Sequence, residues 1–372
     1  MFAALVLGCA QLAAAAPAPP PPPPPSPTLH ASLDDGLSVS TADGSFSVRL
    51  GLLVQARYEL RRSPSIDTQG FDVRIVRPQL RGTIGRPWLR FFVQPELADA
   101  NPRLLDLQLD AQPTPLFGVR VGQFLTPFSR AFNTPVPLLQ FPDFSVVNNV
   151  FRADRDTGVM FHGEPFGGRA EWNLGAFNGN GLDRGGNDRF DLRWMVRLAW
   201  NPLGAISYNE TPAVNGPTPW RVGLGVNAYT DTTTVTLPAA TGQTGQRTGD
   251  QHQDVAGVDL AVRGGPWTLQ AEAYHRWQRR PDGSRIGSWG AYAQSGVMLG
   301  RYFEVAARGN VIQPDDDASA TMLSGEAMLT AYARGNHLKF NLRGTVNHSD
   351  ALIAGVAPGW SGLVTLQTQV AF

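Results

Sequence analysis

About sixteen segments between residues 46 and 372 alternate apolar and polar side chains with a period of two. Successive side chains of a strand leave on opposite faces, so residues two apart share a face and such a segment is a β-strand. In RFDLRWMVRLAW, residues 189–200, Asp191, Arg193 and Arg197 fall on one face. Leu192, Trp194, Val196, Leu198 and Trp200 fall on the other. A helix would scatter these charges around its circumference. In a soluble sandwich the apolar face packs on a core and the polar face meets water. In a membrane barrel the apolar face meets lipid and the polar face lines a lumen.

The rest of the chain separates the two cases. The alternating segments are 46–60, 71–83 (with a bulge expected near Pro78), 88–97, 104–111, 117–124, 156–163, 169–177, 189–200, 220–229, 254–264, 267–277, 288–299, 302–311, 321–333, 337–346 and 361–372. Tight junctions at 85–87, 113–116, 164–168, 264–266, 299–301 and 334–336 alternate with longer or more polar ones at 61–70, 125–155, 178–188, 230–252, 278–287, 311–318 and 347–360. Short periplasmic turns and long outer loops of a barrel produce that rhythm, whereas a sandwich has no reason to keep loop length in step with strand direction. Residues 201–219 break it, being long where a short turn belongs. Trp267 and Trp277 share a strand face. At about 3.3 Å per residue and roughly 45° of tilt they stand about 23 Å apart along the membrane normal, the spacing of two aromatic girdles.

Composition removes other classes. Thirty-one basic residues balance 31 acidic ones, without the basic excess of a general nucleic-acid binder. Mean hydropathy is slightly negative, as barrel strands with half their residues polar allow. MFAALVLGCAQLAAAA (1–16) reads as the core of a signal peptide without its basic start. Cys9, the only cysteine, is the alternative site of a lipid anchor. PAPPPPPPPSP (17–27) reads as a stiff polyproline II segment within a periplasmic N-terminal spacer, 17–44. The barrel domain is then 45–372. G-x-S-x-G, H-E-x-x-H, a Walker loop and paired-cysteine spacing are all missing, so neither an enzyme, a metal site nor a cofactor is expected.

VGQFLTPFSRAF (121–132), RADRDTGVMFHG (152–163), LGAFNGNG (174–181) and YARGNHLKFNLRGTV (332–346) resemble the phosphate-selective porin O/P family in order and spacing. The family features are carried by Gly122-Gln123-Phe124, Pro127-Phe128-Ser129, Arg155-Asp156, Gly158-Val159 and Phe177 to Gly181. The resemblance implies an all-β, transmembrane, antiparallel barrel of about sixteen strands in the bacterial outer membrane, as a homotrimer. It also implies that 125–155 folds inward as a constriction loop. A segment of some thirty residues that is this long and apolar is expected to be functional or packed against something. The chain ends in phenylalanine, Phe372, at the end of an alternating strand, as many substrates of the barrel assembly machinery do.

With the apolar face on outer-membrane lipid, the lumen face carries Arg49, Arg57, Arg74, Arg90, Arg193, Arg197, Arg263, Arg276, Arg308, Lys339 and Arg343. Glu59, Asp72, Glu96, Asp106, Asp110, Asp191, Asp259, Glu272, Glu304 and Glu326 oppose them. The constriction segment adds Arg130, Arg152 and Arg155 with Asp143, Asp154 and Asp156. Charged rings set ion preference, and arginine grips oxyanions with a bidentate fork. Two readings stand: an arginine ladder guiding small anions, or a wetted wall whose charges cancel. The chain has one lysine, Lys339, where phosphate-specific members use several at the constriction and its approach, and arginine does not replace lysine neutrally. The expected function is passive diffusion of small hydrophilic solutes with an anion lean. The alternative is a non-conducting barrel or sandwich serving as surface adhesin or anchor.

Overall fold

The chain is described by a computed structural model at residues 27–32, 36–98, 100–182, 186–187, 190–237, 247–315 and 319–372. The signal-like segment and nearly all of the Pro tract lie outside the described residues.

Strands β1 (Thr28–Ser32), β2 (Gly36–Ser40), β3 (Ser47–Arg62), β4 (Thr68–Ile84), β5 (Arg86–Glu96), β6 (Arg103–Thr114), β7 (Phe117–Leu125), β8 (Arg155–Gly163) and β9 (Ala170–Phe177) come first in the chain. They are followed by β10 (Arg193–Trp200), β11 (Thr218–Leu237), β12 (Arg247–Gly265), β13 (Trp267–Arg279), β14 (Arg285–Leu299), β15 (Phe303–Gln313), β16 (Met322–Arg334), β17 (Leu338–Ser349) and β18 (Gly359–Ala371). Each strand from β3 onward pairs antiparallel with the next, and β18 returns to β3. The sixteen strands β3 to β18 therefore form a closed antiparallel barrel, which leaves none of them an open edge. Phe372 completes the seam, its amide and carbonyl bonded to Leu52 at 3.0 and 2.9 Å.

Beyond Phe372 the same edge of β3 is taken over by β2, with Leu37 opposite Leu50 and Ser40 opposite Ser47. Residues 28–32 and 36–40, within the segment read as spacer from the sequence, pair antiparallel and lengthen the seam. Gly36 begins β2 at φ +71°, where a Cβ would stand 2.2 Å from the Leu50 carbonyl oxygen.

The two faces are inverted relative to a soluble protein. On β10, Arg193, Met195, Arg197 and Ala199 are buried, whereas Trp194, Val196, Leu198 and Trp200 are exposed. Charge inside and tryptophan outside is stable only where the outside is hydrocarbon. Asp191 departs from the expected pattern: it precedes β10, is exposed, and accepts the Thr232 hydroxyl at 2.7 Å.

One irregularity resets the faces of β4. Ala56 opposes Val73 and Gln55 opposes Ile75, so Arg74 is the extra residue of a bulge. The irregularity expected near Pro78 lies four residues earlier. Pro78 itself falls opposite Pro95 in the register continued from Leu80 and Val93, where the β4–β5 ladder stops. Neither proline has an N–H to donate, so the ladder has no bond to make there.

Candidate permeation path

The connection between β7 and β8 contains helix α1 (Arg130–Asn133), a 3-10 turn at Val136–Leu138 and helix α2 (Val146–Phe151). Ser129 caps α1 by accepting the Phe132 amide at 3.1 Å, and Ser145 caps α2 by accepting that of Val147 at 3.0 Å. Its partners are inward side chains of the far wall. The Glu272 carboxylate accepts the Ala131 amide at 2.7 Å and the Asn148 side chain at 2.6 Å. Gln140 donates to Glu304 at 2.6 Å and Ser145 to Asn310 at 2.7 Å. Phe128 packs edge-on against Tyr229, with ring centres 4.9 Å apart. Asp143 is gripped by Arg57 at 3.1 Å and Arg343 at 3.0 Å. Burial opposes its charge, yet these two guanidinium groups outweigh burial and hold its carboxyl at about 2.

A second segment approaches from the opposite end. Residues 201–217, long where a short turn belongs, run back against the first. Glu210 accepts the Gln140 amide at 2.8 Å and the side chains of Gln270 and Gln294 at 3.1 and 3.0 Å. Its own amide donates to the Leu138 carbonyl at 3.1 Å. The Ser207 carbonyl accepts from both Arg130 and Arg263, and Arg130 lies over the Tyr208 ring at 4.9 Å. Burial pushes the Tyr208 hydroxyl up to about 12, so it stays protonated and donates to Glu171.

These contacts divide the expected pore residues. Arg193 points inward, but it is 6 % exposed and bonded to Asp156 at 3.2 Å and Asp231 at 2.7 Å. Arg197 is 0 % exposed and forked onto Asp259. Arg308 pairs with Glu326 at 2.6 Å beneath the Phe141 ring, and Arg343 and Arg57 hold Asp143. Arg263 is buried on Ser207. All six fasten inserted segments or neighbouring strands. Arg155 and Asp156 belong to β8 rather than to the loop, and Asp156 accepts the Gly179 amide at 2.7 Å. Asp154, at φ +52°, pairs with Arg152 at 3.1 Å.

The motif residues are fasteners too. Gly122 has φ +123° and approaches β6 so closely that a Cβ would lie 2.1 Å from the Leu107 carbonyl oxygen. The Gln123 amide donates to the carbonyls of Leu104 and Leu105 at 2.5 and 3.2 Å, where β6 carries the bulge residue Leu105. Phe124 is buried edge-on against Phe177, with centres 5.5 Å apart.

One cavity, of about 850 Å³, opens at the short-turn end beside Ala213, Met298 and Tyr332; two others lie along the near wall. A cavity of about 440 Å³ is bounded by inward residues of β3 to β8 and by the inserted loop. Arg74, Arg77, Arg81, Arg120, Arg152 and Arg155 line it, against Asp106 and Asp143. A second cavity, towards the short-turn end, shares Arg81, Phe92, Gln108 and Arg120 with it and adds Arg49, Arg90 and Asp110. Of the expected pore arginines, Arg49, Arg74, Arg90, Arg152 and Arg155 therefore meet open lumen. Arg77, Arg81 and Arg120 were not anticipated. The bulge at Arg74 hides the first two by exchanging odd and even positions. Arg120 could have been found, since it shares a face with buried Phe124 four residues on.

A closed sixteen-stranded barrel with an apolar outer band, a polar interior and a path through it is an outer-membrane channel. The model of the phosphate-selective porin O and P family matches residues 48–342. The chain belongs to that family, and it is an outer-membrane porin. Solved structures share the fold. The anion-selective porin from Comamonas acidovorans superimposes with a TM-score of 0.65 at 14% identity, over 88% of this chain and 100% of that one. In-vitro folded OmpT, an outer-membrane protein of Vibrio cholerae, in its trimer form, gives 0.61 at 10% over 87% and 99%. The outer-membrane channel DcaP of Acinetobacter baumannii gives 0.59 at 11% over 90% and 99%. No curated protein matches the chain in sequence.

Proposed function

We propose that the protein conducts small solutes with a preference for anions, along a crescent-shaped path between the β3–β8 wall and the inserted loop. The six arginines that line the first near-wall cavity against Asp106 and Asp143 carry this reading; four of them, Arg77, Arg120, Arg152 and Arg155, also hold Glu96, Asp110, Asp154 and Asp106. Cationic walls in a narrow, partly dry passage raise the local anion concentration. The far half of the lumen is occupied by the loop and by 201–217, and it carries no current. The loop is then the constriction, and the chain works as a homotrimer, the form in which one structural neighbour was solved. Phe372 is the recognition end for barrel assembly.

The test is the reversal potential of the refolded protein in a planar bilayer under a KCl gradient. The sign for chloride preference is expected, and a potassium-selective sign would overturn the reading.

A further inference from the structure

The first near-wall cavity joins two kinds of surface. On the barrel side stand Arg74 and three arginines that are paired with carboxylates, Arg77 with Glu96 at 2.7 Å, Arg120 with Asp110 at 2.8 Å and Arg155 with Asp106 at 3.2 Å. Beside Asn133, Thr134, Asp143 and Asn149, the inserted loop contributes an apolar patch of Pro135, Val136, Pro137 and Phe144, none of them fully buried, with Phe144 stacked on Phe132 at 4.4 Å between centres. The only lysine is elsewhere, buried beneath the loop with its ammonium group on the Leu139 carbonyl.

Such a cavity suits a multiply charged inorganic oxyanion poorly. That ion is hydrated on every side, and the proline and phenylalanine side returns none of the hydrogen bonds lost there. An anion with an apolar body matches both sides at once. Its carboxylate takes a bidentate arginine fork, and its ring lies on the proline and phenylalanine surface. The volume, about 440 Å³, is within the range of about 300–1,000 Å³ typical of small-molecule sites. From this geometry we infer that the constriction is a binding subsite for small aromatic monocarboxylates, which the channel takes in preference to phosphate. The inference rests on the diffusion reading above and specifies its solute.

Benzoate, acetate, phosphate and benzyl alcohol, each titrated against single-channel chloride current at neutral pH, test it. Benzoate should half-block the current at a concentration about ten-fold below that of acetate or phosphate, and benzyl alcohol should not block. Val136→Asn should bring benzoate to the level of acetate while leaving acetate unchanged. Arg74→Gln should weaken block by both. Equal potency of benzoate and acetate, or tighter block by phosphate, in a channel that conducts would overturn the inference alone. Refolded protein without conducting steps would overturn the diffusion reading and the inference with it.

Discussion

The ammonium nitrogen of Lys339 lies 2.8 Å from the carbonyl oxygen of Leu139 and 3.0 Å from that of Pro137. The one lysine of the chain, on the inner face of β17, thus grips the backbone of the inserted loop at its 3-10 turn and is itself 3 % exposed. It acts as a fastener, and a cation used this way is not available to a passing solute.

Replacing it with an apolar side chain should free the loop and spare the barrel. Lys339→Met leaves the Leu139 carbonyl without its donor, at about 1–3 kcal/mol for an acceptor left unsatisfied in a buried site, while the Pro137 carbonyl keeps the Gln369 side chain at 3.1 Å. The variant should assemble normally, since β17 keeps its ladders with β16 and β18. Open-channel current noise should rise, and the sign of ion selectivity should not change.

Buried and cavity arginines should separate in their effects. Arg193→Gln breaks a buried arrangement with Asp156 and Asp231. Removing one partner of a buried ion pair costs about 3–5 kcal/mol, so thermal unfolding in detergent should move to lower temperature. Arg120→Gln removes a charge that lines both near-wall cavities and is bonded to Asp110 at 2.8 Å, a carboxylate that keeps His162 at 2.9 Å. It should lower the chloride-to-potassium permeability ratio and leave the melt close to that of the parent.

Acid should release the loop late. The Asp143 carboxyl is held at about 2 by Arg343 and Arg57 against the cost of burial, below the roughly 3.9 of a free aspartate. A carboxyl depressed on folding stabilises the folded state above its free value and loses that contribution as pH falls through its folded value. Conductance should hold from pH 7 to about pH 4 and change between about pH 4 and pH 2. Asp143→Asn should remove that acid step.

Glu210 joins the two inserted segments. Glu210→Ala leaves the Gln140 amide and the Gln294 side chain without their acceptor, and leaves the Gln270 side chain with the Tyr292 hydroxyl alone. Protease added to the short-turn side of reconstituted channels should cut within 201–217 faster in the variant. An unchanged cleavage rate would show that these bonds do not hold the segment.

Much of the barrel is legible from alternation alone. The faces of β10, the sixteen barrel strands and the rhythm of short and long connections all follow from period two and turn chemistry. Three things escape it. A single bulge at Arg74 exchanges the faces of everything after it in β4, which brings Arg77 and Arg81 inward. Alternation gives direction and not cover, so Arg193 and Arg197 are correctly inward and yet sealed under other groups. The inward course of 201–217 depends on Glu210 meeting the Gln140 backbone amide and the side chains of Gln270 and Gln294, groups contributed by the β7–β8 loop and by β13 and β14, all far from it in sequence. Only the excess length of that connection marked it beforehand.

The central claim is that current runs beside the β3–β8 wall and not through the filled half of the lumen. Gln108 lines both cavities, whereas Gln294 is 4 % exposed and bonded to Glu210. Cleavage of the leader would remove Cys9, and Cys9→Ser serves otherwise. Single cysteines at these two positions, treated in the bilayer with an anionic methanethiosulfonate, report which half is open. The account predicts stepwise loss of current in Gln108→Cys and no change in Gln294→Cys. Block at position 294 with none at position 108 would contradict it.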